Sequence, residues 1–235
     1  MKSAISKKIL NIFFILIIGG IGGVLADQFL VPYLSSGNRT TIINPTKEIT
    51  IVENVAIQEA IDKVKSSLVA IHSYQNKNLI NQGTGFFITS DGLLITSDNL
   101  ISSRATQYLV FRNGNSSAAT LVKRDLKNNI ALFQIEDGNL PVVSMAGLED
   151  LHLGERVILV GAELVSAHLS EFVNLGIIRS IGQQTLTLNL SEESSLADGS
   201  PLINIKGEVI GLNLVDNQGL LKTVPTDKIK EFVGF

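Results

Sequence analysis

Three hydrophobic regimes follow one another along the chain. Residues 9–26, ILNIFFILIIGGIGGVLA, are one apolar run without an ionisable side chain. A helix of that length, at about 1.5 Å per residue, is roughly 27 Å long, close to the hydrocarbon thickness of a bilayer. Lys2, Lys7 and Lys8 precede the run and Asp27 follows it. The positive-inside bias then puts residues 1–8 in the cytoplasm and the chain after Asp27 outside. A cleaved signal peptide is the competing reading, with Val24-Leu25-Ala26 as the cleavage site. The run is longer than a usual signal core, and Phe29-Leu30-Val31-Pro32-Tyr33-Leu34 reads as an interfacial collar, so an uncleaved single-pass anchor over 9–26 is expected. Gly19 and Gly23 have the spacing of a helix-pairing motif, which is also ordinary transmembrane composition.

Residues 35–50 are polar, include a proline and show no sustained period, and with the collar before them 27–50 are expected to be a linker or stalk. Over 55–66, Val55, Ile57, Ala60, Ile61 and Val64 recur at helical spacing. From Ser67 the pattern changes to short apolar runs: LVAIHSY, GTGFFIT, GLLITS, TQYLVFR, AATLVKR and NIALFQI, then RVILVGA, FVNLGIIRSI, TLTLNL, PLINI, EVIGLNLV and LLKTV. Asp91-Gly92, Asn113-Gly114, Asp137-Gly138, Gly182-Gln183 and Lys206-Gly207 punctuate them, dipeptides that tolerate the positive φ of tight turns. About twelve short strands without intervening helices predict an all-β sandwich or barrel pair. LEDLHLGE, residues 148–155, divides the two sets of six, and PTDKIKEFVGF closes the chain as a short helix with Asp227 in its first turn.

Composition narrows the chemistry. The 235 residues contain no cysteine, which excludes disulfides, thiolate metal sites and a cysteine nucleophile. His72, His152 and His168 are the only imidazoles. Removing the three lysines of the first 26 residues from the 19 basic side chains leaves 16 against 22 acids, a net of −6 outside the apolar run. That balance has neither a nucleic-acid footprint nor a polybasic lipid face.

Four blocks bear a family resemblance. Gly83-Thr84-Gly85-Phe86-Phe87-Ile88-Thr89-Ser90-Asp91-Gly92-Leu93-Leu94-Ile95-Thr96 resembles the GSGFII-x-x-DGYILT segment of HtrA/Deg trypsin-like serine proteases. Asn128 to Ile135, NNIALFQI, is similar to that family's (T/N)DIALLKI strand. Pro201 to Asn213, PLINIKGEVIGLN, is similar to PLVN-x-x-GEVIGIN, and Val224-Pro225 to the A-(I/V)-P before its closing helix. Order and spacing agree over residues from about 50 to 235. The resemblance implies two six-stranded antiparallel β-barrels in a domain spanning 51–235, barrel one about 67–147 and barrel two about 155–224.

The family's chemistry does not follow residue by residue. Its base-bearing segment, N-N-H-V-V after ILT, is Ser97-Asp98-Asn99-Leu100-Ile101 here, so the base position is Asn99. The orienting acid of DIALL falls on Asn129. The nucleophile segment G-N-S-G-G-P-L becomes Leu196-Ala197-Asp198-Gly199-Ser200-Pro201-Leu202, which puts Asp198 at the nucleophile position and Leu196 at the oxyanion-loop glycine. An amide has no titratable nitrogen near neutral pH and is no general base. A carboxylate gives no alkoxide, and its charge opposes a developing oxyanion. The expectation is therefore a pseudoprotease: no catalytic residues, no cofactor and no metal. Its implied roles are binding of unfolded or extended peptide segments, or a regulatory or scaffold place in the cell envelope.

The alternative is an active endopeptidase with Ser200 as a displaced nucleophile and a non-standard base. Ser194 and Ser195 also precede Asp198, but His72 lies in the first strand, and His152 and His168 lie in loop-like segments outside the family motifs. Asp98 with Asp198 as an aspartic dyad, and Glu192, Glu193 and Asp198 as an acidic cluster, read as solvated loop carboxylates. The family also implies a homotrimer, or a hetero-oligomer with an active paralogue. The closing helix runs to Phe235, which implies that no PDZ domain follows.

Overall fold

The computed structural model describes residues 2–31, 49–166, 168–191, 195–216 and 218–235. It divides into two units, residues 1–48 and 49–235.

The first unit has one described helix, α1 (Lys2–Leu25), continued by a wider turn over Ala26–Leu30. Phe13–Leu30 is long and apolar enough to cross a membrane, as an anchor or as a signal peptide. That window overlaps the expected 9–26 stretch.

The second unit opens with α2 (Ile49–Lys65), which begins well before the expected position 55. Twelve strands follow among the described residues. Barrel one holds β1 (Leu68–Gln75), β2 (Asn78–Phe87), β3 (Leu93–Ser97), β4 (Gln107–Arg112), β5 (Asn115–Asp125) and β6 (Ile130–Ile135). Barrel two holds β7 (Arg156–Val165), β8 (His168–Ile181), β9 (Leu186–Leu190), β10 (Pro201–Asn204), β11 (Val209–Val215) and β12 (Leu221–Pro225). Each set closes on itself through antiparallel pairs, in the orders β1-β2-β3-β6-β5-β4 and β10-β11-β12-β9-β8-β7. The last helix, α3 (Thr226–Val233), ends at Gly234 in the left-handed conformation.

Alternation along the strands places the core. Val69, Ile71, Phe87, Leu94, Val110 and Phe133 fill barrel one. Leu159, Ile178, Leu186, Leu202 and Ile210 fill barrel two. A third cluster joins the barrels and both helices: Ala60 and Val64 of α2, Phe86, Ile158 and Val160 of the strands, and Ile229 and Phe232 of α3. Period two sends one set of side chains into a barrel and its neighbours onto the other face, so one strand serves both cores.

The turn signals are met unevenly. Asn113 and Gly114 both have positive φ between β4 and β5, as do Gly92 and Gly207 in their turns. At Asp137-Gly138 it is Asn139 that carries the positive φ, and Gly182 does not have one. The β1–β2 turn uses Asn76 and Lys77, at φ 47° and 74°, without a glycine.

Candidate functional site

The site lies where barrel two's β9–β10 connection meets strands of barrel one. Ser195–Ala197 makes a single tight turn, and the chain then passes Asp198 and Gly199 into β10. Gly199 has φ 80°, and a Cβ there would collide with Thr84 O and Thr96 Oγ1. Thr84 N–H donates to Asp198 O at 2.9 Å, and a Cβ on Gly83 would lie 2.7 Å from the same carbonyl. Glycine at both positions permits this backbone-on-backbone approach of one barrel to the other.

The fold brings Asn99, Asn129 and Asp198 together. Asn99 sits in the short turn Asp98–Leu100 after β3. Its Nδ2 donates to Asp198 Oδ1 at 3.3 Å and to Val215 O at 3.0 Å. Two acceptors fix that atom as the amide nitrogen, so Asn99 Oδ1 faces Asn129 and accepts from its Nδ2 at 2.8 Å. Asn129 stands just before β6 with φ 59°, in the left-handed region that asparagine tolerates. The three side chains form a directed line, amide to amide to carboxylate, in the order of the three family positions.

Asp198 is 7% exposed. Its Oδ1 also accepts from Val215 N–H at 3.0 Å, and the Ser97 hydroxyl donates to the carboxylate. Burial pushes the Asp198 carboxyl above its ordinary value, and the donors from Val215, Ser97 and Asn99 pull against it. The result is an acceptor-only group saturated with donors. It holds no hydroxyl to deprotonate, and its partner Asn99 has no basic nitrogen.

Ser200, the displaced-nucleophile candidate, is fully buried. Its Oγ donates to Ala197 O at 2.6 Å and accepts from Asn213 Nδ2 at 3.1 Å. No described histidine bonds to it. His72 is buried in β1 with Nδ1 3.1 Å from Tyr74 Oη, its imidazole pushed down by burial, and its ring lies against Phe111. His152 is exposed in the inter-barrel loop, and His168 begins β8 rather than lying in a loop. Asp98 does not face Asp198: its two oxygens take Arg124 Nε and Nη2 at 2.6 and 2.8 Å. Leu196 is in the Ser195–Ala197 turn, while Glu192, Glu193 and Ser194 lie outside the described residues. Among the described residues no three His, Asp or Glu side chains group as a metal site.

Three features had no signal in the sequence. Val215, at the end of β11, gives both its backbone N–H and its C=O to Asp198 and Asn99. Ser97 holds Asn99 N–H through its Oγ at 3.1 Å as well as serving Asp198. Beside them opens a pocket of about 360 Å³ between the barrels, with Leu214 and Val224 in its lining and Lys127, Gln184 and Lys222 at its exposed wall. Its remaining polar lining includes Asn128 and Asn129. Local sequence carries no pattern for groups that meet only through tertiary structure.

Comparison with known proteins gives concordant matches. A family model described as "Trypsin-like peptidase domain" matches residues 83–212. Serine protease HTR4 of Rattus norvegicus is 28% identical over 197 residues, covering 76% of this chain and 40% of that protein. Serine protease HTRA1A of Danio rerio is 27% identical over 197 residues, covering 76% and 40%. Serine protease HTRA3 of Homo sapiens is 28% identical over 202 residues, covering 75% and 44%. The chain spans about two-fifths of the length of these relatives.

Proposed function

The chain belongs to the trypsin-like peptidase domain family, and from that premise we propose that it is a non-catalytic member that binds extended segments of other proteins in the cleft between its barrels. The observation that carries this reading is the buried Asp198 carboxylate, held by Asn99 Nδ2 and Val215 N–H at the family's nucleophile position. Acyl transfer needs a nucleophile that loses a proton to a neighbouring base, and a site that welcomes negative charge on the substrate oxygen. Here a negative group already occupies the place, and its neighbours are amides. In this reading α1 is an uncleaved anchor, N-terminus inside, and the barrel pair works on the outer side of the membrane as a binding or scaffold subunit. An active paralogue is the natural partner for such a subunit.

The test is direct. Full-length protein in detergent is incubated with a fluorophosphonate probe and, separately, with unfolded casein. Neither labelling nor cleavage is expected. Labelling or cleavage that disappears in Ser200→Ala would overturn the proposal in favour of a displaced serine nucleophile.

A further inference from the structure

The pocket beside Val215 shares Asn99 and Asn129 with the three-residue line and adds a charged wall of its own. Leu214 and Val224 are buried apolar residues in its lining. Lys127 enters from the β5–β6 loop of barrel one and Lys222 from β12 of barrel two. Both are exposed, and Lys127 makes no ion pair within the described residues. Outside the pocket lining, Asp125 accepts from Lys127 N–H at 2.9 Å and from Asn128 Nδ2 at 2.6 Å, Glu231 pairs with Lys228 at 2.7 Å, and both carboxylates attract the Lys127 ammonium. Asp216 is the one acid in the lining. Its Oδ1 accepts from the N–H groups of Gln218 and Leu220, at 2.9 and 3.0 Å, and its Oδ2 stands 3.6 Å from Lys222. Within the lining itself, two ammonium groups stand against one carboxylate that backbone donors already hold.

Resting on the peptide-binding reading above, we propose that this pocket takes an acidic side chain of an extended peptide, its carboxylate between Lys127 and Lys222 and its methylenes over Leu214 and Val224. A side chain fits better than a chain terminus. Terminal carboxylates are captured by unpaired backbone N–H groups, and on this wall the N–H of Val215 goes to Asp198 and that of Asp216 to Leu220 O. Lys127 and Lys222 supply side-chain donors instead. The same bonds keep a bound peptide from pairing with Val215, so the pocket rather than a strand ladder supplies the selectivity.

The test uses full-length protein in detergent and fluorescein-labelled heptapeptides, each made with an amidated and with a free C-terminus, that otherwise differ only in a central Glu, Gln or Lys. Fluorescence anisotropy is expected to show the Glu peptide binding about fivefold more tightly than the Gln peptide, as two partly exposed ion pairs allow, with the advantage fading in high salt. Lys127→Gln with Lys222→Gln is expected to bring the Glu peptide down to the Gln level while leaving the Gln peptide unchanged. Equal binding of Glu and Gln peptides to the parent protein would overturn the inference and leave the peptide-binding reading standing. Binding only by peptides with a free C-terminus would replace it with terminal capture. Binding by none of the peptides, free or amidated, would remove the peptide-binding reading itself. If the double variant fails to fold, the Glu-to-Gln ratio of the parent and its salt dependence still decide.

Discussion

A buried carboxylate that accepts every bond it makes is a structural group, and Asp198 behaves as one. Burial raises its pKa in the folded chain, and the three donors only partly offset that. The protonated form is thus favoured by folding. Its stabilising share is complete below the unfolded value of about 3.9 and is lost as pH rises through the folded value. At neutral pH the charge is a burden on the fold. Asp198→Asn keeps an acceptor for Val215 N–H and Asn99 Nδ2, and Ser97 Oγ remains to accept from the new amide. This variant is expected to melt above the parent at pH 7, with a gap that shrinks as pH falls through the carboxyl range. Asp198→Ala instead orphans Val215 N–H and is expected to destabilise by about 1–3 kcal/mol at the same pH. Thermal melts of both variants across pH check this. A gap for Asp198→Asn that is constant or widens toward acid would refute the assignment.

At the scale of elements, the connection into β10 is the joint on which the two barrels meet. Its tolerance is smallest at Gly199, where positive φ and the nearness of Thr84 O and Thr96 Oγ1 both forbid a side chain. Gly199→Ala is expected to lower the urea midpoint by the equivalent of more than about 2 kcal/mol. Gly114→Ala meets no neighbour within 4 Å and carries only the backbone strain of its turn, so it is the matched control. Similar losses at the two positions would deny the joint its special role.

The elements themselves were largely legible. Short apolar runs between turn signals located the strands, because half-buried strands write their burial into the sequence, while closure of each six was legible only through the family blocks. The line Asn99, Asn129 and Asp198 was legible for the same reason, since the motifs carry those positions. Three things were not. The β1–β2 turn hides behind Asn76-Lys77, which adopts a glycine-like conformation without a glycine. The first turns of α2, ITIV, are β-branched and locally favour strand, yet the backbone is helical from Ile49. The bonds of Val215 and the two pocket lysines join residues far apart in sequence, which no local pattern records.

For the whole molecule, the remaining question is what α1 is for. Phe13, Phe14, Ile15, Leu16 and Ile18 are all exposed on it, an apolar surface that water does not tolerate and lipid does. A signal peptide would present the same surface for a moment and then be removed after Ala26. The absence of cysteine makes the two outcomes easy to separate, because any introduced thiol is unique. Ser3→Cys reports the side before α1, and Asn115→Cys, exposed at the start of β5, reports the barrel pair. In intact cells a membrane-impermeant maleimide is expected to label Asn115→Cys and to reach Ser3→Cys only after lysis. Intact mass of the carbonate-washed membrane fraction is expected to match the uncleaved chain of 25.3 kDa. A mature protein that starts after Ala26 would make α1 a signal, and labelling of Ser3→Cys without lysis would reverse the orientation. Either result would detach the barrel pair from the anchored, outward-facing role, while leaving the chemistry of its Asn99–Asp198 contact unchanged.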